Sequence, residues 1–146
     1  MAIKLAIGAD HRGYAYKSFL LLSSECSYIS WHDVGADNAE RSDYPIFAQR
    51  ALDALKRNIV EGAVLLCGTG TGMAIAANRV SGVYAGVAWC EDVARRGREE
   101  DHTNVLVIPA DYVTEEHLSS LVCAWQQAIP QGDRYEQRMR MIDEMF

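Results

Sequence analysis

The sequence predicts a single α/β domain, residues 1–146, built around a parallel sheet of about five strands with helices on both faces. Short apolar runs, typical of buried strands, alternate along the chain with segments whose apolar residues recur at helical spacing. Connections between parallel strands of one sheet are right-handed, so this alternation predicts a doubly wound sheet. The composition agrees, because a chain of 146 residues that is 49% hydrophobic is long enough to bury one core.

In the first half of the chain, the predicted elements are two strands and two helices. Residues 3–8 form an apolar run that ends in glycine, and the apolar face of Lys17–Leu22 indicates a helix. Tyr28–Gly35 is typical of a second, more polar strand near an edge of the sheet. A helix over residues 45–55 begins with a proline, which is favoured in a first helical turn.

The second half of the chain continues the alternation. Val64–Asn78 combines a buried strand, a glycine-rich turn and the start of a helix. The later segments are a strand over Gly82–Ala88, a helix over Glu91–Glu100, a strand over Val105–Ile108, and helices over Glu115–Ile129 and Asp133–Ile142. The last helix lies beyond the last strand, so we expect it to pack on a partner subunit and to carry its arginines there.

The glycine-rich turn is the predicted active site. Cys67 ends the strand that precedes it, and the turn alternates glycine with threonine: Gly68, Thr69, Gly70, Thr71 and Gly72. Glycine lets backbone N–H groups turn toward one point, where the unpaired N–H groups of the following helix also lie. Such a pocket would bind an anion or stabilise an oxyanion that forms during a reaction, with the Cys67 thiol as a titratable group beside it.

Charged side chains at two other places are candidate ligand-binding groups. Asp10 and His11 follow the first strand, and ligands bind at the carboxyl ends of strands in open α/β sheets. Asp10 is equally typical of a helix cap. In the last helix, Arg134 and Arg138 lie four residues apart on one face, which suits a phosphate dianion but is also typical of a solvated face.

Charge and composition exclude several classes of function. The net charge of −6, with no basic stripe, argues against nucleic acid or an anionic membrane as a partner. No apolar run approaches the roughly 20 residues of a membrane span, and residues 1–5 show no signal-peptide pattern, so the cytoplasm is the expected location. The four cysteines include no C-x-x-C pair, which disfavours a zinc site and a disulfide framework.

A set of motifs spreads over nearly the whole chain: Gly8–His11, Arg41–Pro45, Cys67–Gly72, Ile75–Asn78, Thr103–Val105 and the Arg134/Arg138 pair. In this order they resemble the ribose-5-phosphate isomerase B family, which includes the galactose-6-phosphate isomerase subunits. The resemblance implies a Rossmann-like three-layer αβα sandwich that forms a homodimer, or a dimer of dimers, with active sites shared between subunits. It also implies an aldose–ketose isomerase without metal or cofactor, most closely one that interconverts ribose 5-phosphate and ribulose 5-phosphate.

The resemblance implies a role for each matching residue. Cys67 is the base that moves a proton between C1 and C2 of the open-chain sugar, and the backbone of Gly68–Gly72 holds the enediolate oxygen. Thr69 and Asp10 contact the reacting end of the sugar, Tyr44 lines the site, and His11 grips the phosphate together with the two arginines of the last helix. The remaining residues implied in substrate binding are Gly70, Thr71, Asp101, Arg134 and Arg138.

Two positions depart from the family pattern and leave the substrate open. Glu100 stands where the ribose 5-phosphate isomerases carry a ring-opening histidine, so His102 takes over that role, or else Glu100 or Asp101 does. Asp111 stands where the family commonly has an arginine near the ligand. The alternatives are an isomerase of allose 6-phosphate or galactose 6-phosphate, or a non-catalytic sugar-phosphate-binding subunit. A thiol phosphatase is disfavoured, because Met73 occupies the position of the arginine that its loop requires.

Overall fold

The computed structural model describes residues 2–146, so Met1 of the predicted domain lies outside the described residues. Five strands and six helices follow one another within this range. In chain order they are β1 (Ile3–Ala9), α1 (Tyr14–Leu22), β2 (Ile29–Asp33), α2 (Tyr44–Lys56), β3 (Gly62–Cys67), α3 (Thr71–Ala77), β4 (Ala85–Val87), α4 (Glu91–Asp101), β5 (Val105–Pro109), α5 (Leu118–Gln127) and α6 (Arg134–Met145). The predicted alternation of strands and helices is confirmed.

All five strands are parallel and lie in the order β2-β1-β3-β5-β4. After β2 the chain crosses to the other side of β1, so the strand order reverses between β1 and β3. Ligands bind outside the carboxyl ends of the strands at such a reversal. Cys67 is the last residue of β3 and therefore lies at this position.

Side chains of the central strands alternate between two apolar cores. Val64 and Leu66 of β3 pack in the core that α1, α4 and α5 cover, while Leu65 and Cys67 pack in the core that α2 and α3 cover. The strands are apolar on both faces because helices cover both faces of a parallel sheet. The three-layer αβα sandwich is confirmed.

Two strands are shorter than the predicted ranges, 28–35 and 82–88, and both lie at an edge of the sheet. An edge strand has a neighbour on one side only, so fewer of its residues are held in ladder pairing. At the start of β4, the Asn78 side chain pairs with the backbone of Ala85. Its Oδ1 accepts from the Ala85 N–H at 2.8 Å, and its Nδ2 donates to the Ala85 carbonyl at 3.0 Å.

Several helix boundaries also differ from the sequence prediction. The first helix begins at Tyr14 instead of Lys17. The predicted helix over Glu115–Ile129 opens with a 3₁₀ turn over Glu115–His117, and α5 follows it and ends at Gln127. Local apolar spacing predicts where a helix is buried, but hydrogen bonds in its first and last turns decide where it begins and ends.

The C-terminal helix α6 packs on α4 of its own chain. Met139 is buried there, and the Tyr84 hydroxyl donates to both carboxylate oxygens of Asp143, at 2.7 Å and 2.6 Å. Ile142 and Phe146 stay exposed on this helix and its end. The predicted packing of α6 on a partner subunit therefore remains a prediction for its exposed face. No helix in residues 2–146 has the length and apolar character needed to cross a bilayer.

Candidate active site

The carboxyl ends of β1 and β3 meet side by side, with Ala9 in register with Leu66. Asp10 therefore lies level with Cys67, and its backbone N–H donates to the Leu66 carbonyl at 3.4 Å. Gly13 packs against the same strand, since a Cβ on it would lie 2.7 Å from both Cβ and O of Leu66. The loop after β1 and the glycine-rich turn after β3 thus form one continuous surface.

The glycine-rich turn adopts a conformation that requires glycine at its centre. Gly70 has φ of 78°, in the left-handed region that side chains disfavour, and α3 begins immediately after it. Thr69 is exposed, and its Oγ1 accepts a hydrogen bond from the Thr71 N–H at 3.3 Å. The backbone N–H groups of Thr69 and Gly70 have no hydrogen-bond partner within residues 2–146. The turn thus leaves two backbone donors without an internal acceptor.

Cys67 and Tyr44 lie on the same side of the sheet. Cys67 is 4% exposed as a residue and packs in the core that also contains Phe47 and Met73. Tyr44, the first residue of α2, covers the start of α3, because a Cβ on Gly72 would lie 2.5 Å from the Tyr44 ring. Met73 is fully buried, so this loop presents no cation at the position where a thiol phosphatase has one.

Asp10 has one carboxylate oxygen engaged by its own loop. Its Oδ1 accepts hydrogen bonds from the backbone N–H groups of Arg12 and Gly13, at 3.0 Å and 3.2 Å. Asp10 is 4% exposed, and its carboxylate shapes the turn that leads into α1. Asp10 therefore holds the turn before α1 and does not cap the helix itself, whose N-cap residue is Gly13 with no side-chain cap hydrogen bond; its functional role stays a prediction.

His11 is tied to the loop before α2. Its backbone N–H donates to Ser42 Oγ at 3.1 Å, and its Nδ1 accepts from the Ser42 N–H at 3.2 Å. Because Nδ1 accepts, the neutral ring carries its proton on Nε2 and presents it as a donor. Through Ser42, the loop before α2 therefore reaches back over the end of β1.

Arg12 and Asp111 form an ion pair at this edge that sequence reasoning did not identify. A methyl group on Gly68 would overlap the Arg12 guanidinium, so the arginine lies directly over the residue after Cys67. The Asp111 N–H donates to the Gly68 carbonyl at 3.0 Å. The available signal was the position of Arg12 immediately after the first strand.

A second group of charged side chains surrounds the end of α4. Glu100 pairs with Arg96, with Oε1 at 3.0 Å from Nε. His102 is a left-handed residue with φ of 51°, and its Nε2 lies 2.6 Å from the Gln131 carbonyl. The Gln131 N–H donates to the Glu99 carbonyl at 2.8 Å, which attaches the segment before α6 to this end of α4.

The two arginines of α6 share one aromatic ring. The guanidinium carbons of Arg134 and Arg138 lie 4.9 Å and 5.8 Å from the Tyr135 ring centroid. The hydrogen bond from Arg134 to the Tyr135 hydroxyl, 2.9 Å long, is the main cause that raises the pKa of Arg134, and the charge of Glu100 adds to it. Stacking on one ring keeps the two cations together on the exposed face of α6.

Within one chain, the residues around Cys67 and the charged residues around the end of α4 lie at opposite ends of the parallel strands. Helix α4 leads into β5, so its last residues lie at the amino ends of the strands, whereas Cys67 lies at the carboxyl ends. Val105, where β5 begins, is in register with Ala63, and Cys67 with Pro109. At roughly 3.3 Å per residue, that difference alone is about 13 Å.

Comparisons with known proteins identify the family of this chain. The family model described as Ribose/Galactose Isomerase matches residues 5–142. The chain belongs to the ribose/galactose isomerase family. It is 34% identical over 139 residues to ribose-5-phosphate isomerase B of Escherichia coli, covering 95% of this chain and 93% of that protein.

Solved structures of ribose/galactose isomerase relatives have the same fold over nearly their whole length. A ribose 5-phosphate isomerase from Thermotoga maritima superposes with a TM-score of 0.94 at 33% identity, covering 99% of both chains. Ribose-5-phosphate isomerase B from Mycoplasma genitalium, solved with bound ribulose-5-phosphate, gives a TM-score of 0.91 at 30% identity and covers 99% of this chain and 97% of that one.

For this member of the ribose/galactose isomerase family, the structure brings together one part of the predicted site. Residues at the carboxyl ends of β1 and β3 and at the start of α2 adjoin one another: Asp10, His11, Tyr44, Cys67, Gly68, Thr69, Gly70, Thr71 and Gly72. The others lie near the end of α4 and in α6: Glu100, Asp101, His102, Arg134 and Arg138. A single chain therefore does not unite the predicted site.

Proposed function

We propose that this chain is an aldose–ketose isomerase that interconverts ribose 5-phosphate and ribulose 5-phosphate. The observation that carries the proposal is a thiol at the end of β3 beside a turn with two unpaired backbone N–H groups, in a chain of the ribose/galactose isomerase family. The similarity to the Mycoplasma genitalium enzyme that holds ribulose-5-phosphate supports this choice of substrate.

In the proposed reaction, the Cys67 thiolate removes the proton from C2 of the open-chain aldose. The electron pair of the C2–H bond forms the C1–C2 double bond, and negative charge develops on the oxygen of C1. The N–H groups of Thr69 and Gly70 donate to this oxygen and stabilise the enediolate. Cys67 then returns the proton to C1, while the hydroxyl proton moves from O2 to O1 and C2 becomes the carbonyl. The Thr69 hydroxyl and Asp10 Oδ2 contact these two oxygens.

We propose His102 as the residue that opens the sugar ring. Glu100 is already paired with Arg96, which weakens it as a base. The His102 Nε2 faces the Gln131 carbonyl and acts as a donor there, so Nδ1 of the neutral ring is free to accept a proton. On closed-ring substrate, we expect His102→Ala to lose more activity than Glu100→Ala. Equal, unchanged rates for both variants would contradict this choice.

We propose that the active site is shared between two copies of the chain. The partner then supplies His102, Arg134 and Arg138, because in their own chain these residues lie at the opposite end of the strands from Cys67. A groove of about 1060 Å³ beside this group supports docking of a second copy. It runs along β4, α4 and α6, and its apolar lining includes Met139 and Ile142.

Mixing two inactive variants tests the shared site. In a mixture of Cys67→Ala and Arg134→Ala protein, half of the dimers pair one copy of each, and each such dimer has one intact site. We expect recovery of about a quarter of wild-type activity, as the symmetry of a twofold dimer requires. No recovery, in a mixture shown by mass spectrometry to contain mixed dimers, would mean that each chain holds a complete site.

The activity itself is tested by incubating the purified chain with ribose 5-phosphate, allose 6-phosphate and galactose 6-phosphate and measuring ketose. Cys67→Ala is expected to lower kcat by about 10²–10⁴-fold, the usual contribution of a general base. Cys90→Ala is the matched control, because Cys90 is an exposed thiol at the start of α4. Full activity of Cys67→Ala would overturn the assignment of the base, and absence of ketose from all three sugars would favour a non-catalytic subunit.

The cysteines support a location in the cytoplasm. All four cysteines are free, including the exposed Cys90 and the site thiol Cys67. Free thiols persist in a reducing compartment, whereas an oxidising one favours disulfides.

Within residues 2–146, no group of three or more His, Cys, Asp or Glu side chains is arranged to hold a metal ion.

A further inference from the structure

The ion pair between Arg12 and Asp111 crosses the carboxyl end of β3. Arg12 follows β1, Asp111 follows β5, and these two strands flank β3 in the sheet. A side-chain contact between them must therefore pass over the end of β3, where Cys67 is the last residue and Gly68 follows it. We propose that Arg12 is a further substrate-binding residue, whose guanidinium binds an anionic oxygen of the sugar phosphate, and that Asp111 is its positioning residue. This inference rests on the proposed function of the same site.

The guanidinium is held at the site from both ends. The backbone N–H of Arg12 donates to Asp10 Oδ1 at 3.0 Å, which fixes the start of the side chain. Its far end meets the Asp111 carboxylate, and the Asp111 N–H donates to the Gly68 carbonyl at 3.0 Å. The guanidinium occupies the space over Gly68 that a side chain would otherwise fill. An arginine restrained in this way loses little side-chain entropy when it binds a ligand.

The pair is accessible to a ligand and has donors to spare. The Arg12 side chain is 47% exposed and that of Asp111 is 39% exposed. A guanidinium has five N–H donors, and the Asp111 contact is made through Nη2, so other donors can bind phosphate oxygens. His11, the preceding residue, presents an Nε2 donor from the same loop. Two adjacent residues of this loop thus carry N–H donors of the kind that bind anions.

The two partners of the pair act on a bound anion with opposite sign. Arg12 attracts a phosphate dianion, whereas the Asp111 carboxylate repels it and competes for the same guanidinium. Removal of Arg12 should therefore weaken anion binding, and neutralisation of Asp111 should strengthen it. An ion pair with a purely structural role predicts instead that both substitutions change the protein in the same direction, because each breaks the same contact.

The test uses the full chain and inorganic phosphate as the probe, with calorimetry for its Kd and ketose formation for KM and kcat. We expect Arg12→Met to raise the Kd for phosphate and the KM for ribose 5-phosphate by about tenfold, with kcat changed less, since a charged hydrogen bond is lost. Arg12→Lys should lie between Arg12→Met and the wild type. Asp111→Asn should lower both constants by about threefold. Arg95→Met, which removes an exposed ion-paired arginine from α4, should change neither.

Two results would overturn the inference: Arg12→Met with wild-type Kd and KM, or weaker phosphate binding in Asp111→Asn as well as in Arg12→Met. The phosphate measurements separate this inference from the proposed reaction. If no sugar gives ketose but the order of phosphate affinities holds, the reaction is wrong and the assignment of Arg12 stands. If ketose forms but Arg12→Met binds phosphate and substrate like the wild type, the reaction stands and the assignment of Arg12 is wrong.

Discussion

Substitution of Gly70 by alanine should destabilise the fold and reshape the active-site turn. Gly70 has φ of 78°, and an L-residue in the left-handed region costs roughly 1–2 kcal/mol. The new Cβ would also lie 3.2 Å from Val87 Cγ1 and 3.3 Å from Val107 Cγ1, both closer than ordinary contact. Relief of that crowding adds about 1 kcal/mol. We therefore expect Gly70→Ala to lower the free energy of unfolding by about 2–3 kcal/mol.

Two other glycines allow the backbone and steric contributions to be separated. Gly82 has φ of 80°, but a Cβ there would meet nothing within 4 Å. Gly82→Ala should therefore lose only the backbone contribution, about 1–2 kcal/mol. Gly132 has neither a positive φ nor a close neighbour, so Gly132→Ala should leave stability within about 0.5 kcal/mol of wild type. Urea unfolding of the three variants, at one fixed protein concentration, measures these differences.

Activity distinguishes Gly70 from Gly82 more sharply than stability does. A shift in the backbone at Gly70 moves the N–H groups of Thr69 and Gly70 away from the proposed enediolate oxygen. Loss of one such donor lowers kcat by about 10²–10³-fold, whereas Gly82→Ala should retain wild-type kcat. The reasoning fails if Gly70→Ala keeps wild-type kcat, or if it is no less stable than Gly82→Ala.

Three further predictions concern residues outside the proposed reaction. Lys17 is buried, and its Nζ lies 2.9 Å and 3.1 Å from the two Asp33 carboxylate oxygens. In urea unfolding, Lys17→Met should lower the free energy of unfolding by about 2–3 kcal/mol, less than for a fully buried pair because Asp33 is partly exposed. A loss below about 0.5 kcal/mol, the effect of a surface substitution, would contradict this. Burial raises the pKa of the Cys26 thiol from 9.0 to about 11. Above pH 9 the unfolded thiol therefore loses its proton while the native one keeps it, so stability that is fully present below pH 9 is lost as the pH rises to about 11. Cys26→Ala should remove about 2–3 kcal/mol of this decline, and equal pH slopes in variant and wild type would show that the thiol does not contribute. Tyr84→Phe removes the hydrogen bonds to Asp143, so the amides of α6 should exchange about fivefold faster by hydrogen exchange, while unchanged rates would mean that packing alone holds α6.

The sequence alone predicted the α/β class, all five strands and the location of the central loop. Apolar periodicity records which side of each segment is buried, and that information is local. The Cys67–Gly72 turn was identifiable because glycine spacing and a strand end are also local signals. The role of Asp10 stayed open at the sequence level, because an aspartate after a strand is typical both of a cap and of a ligand-binding group.

Only the tertiary structure decided which strands are neighbours, and therefore which side chains meet. Arg12 and Asp111 are 99 residues apart in the chain, and they touch because β1 and β5 flank β3. The same topology separates Cys67 from Arg134. Helix α4 returns the chain to the amino ends of the strands before β5, whereas Cys67 lies at their carboxyl ends. Strand order depends on packing between distant segments, and periodicity within a segment carries no record of it.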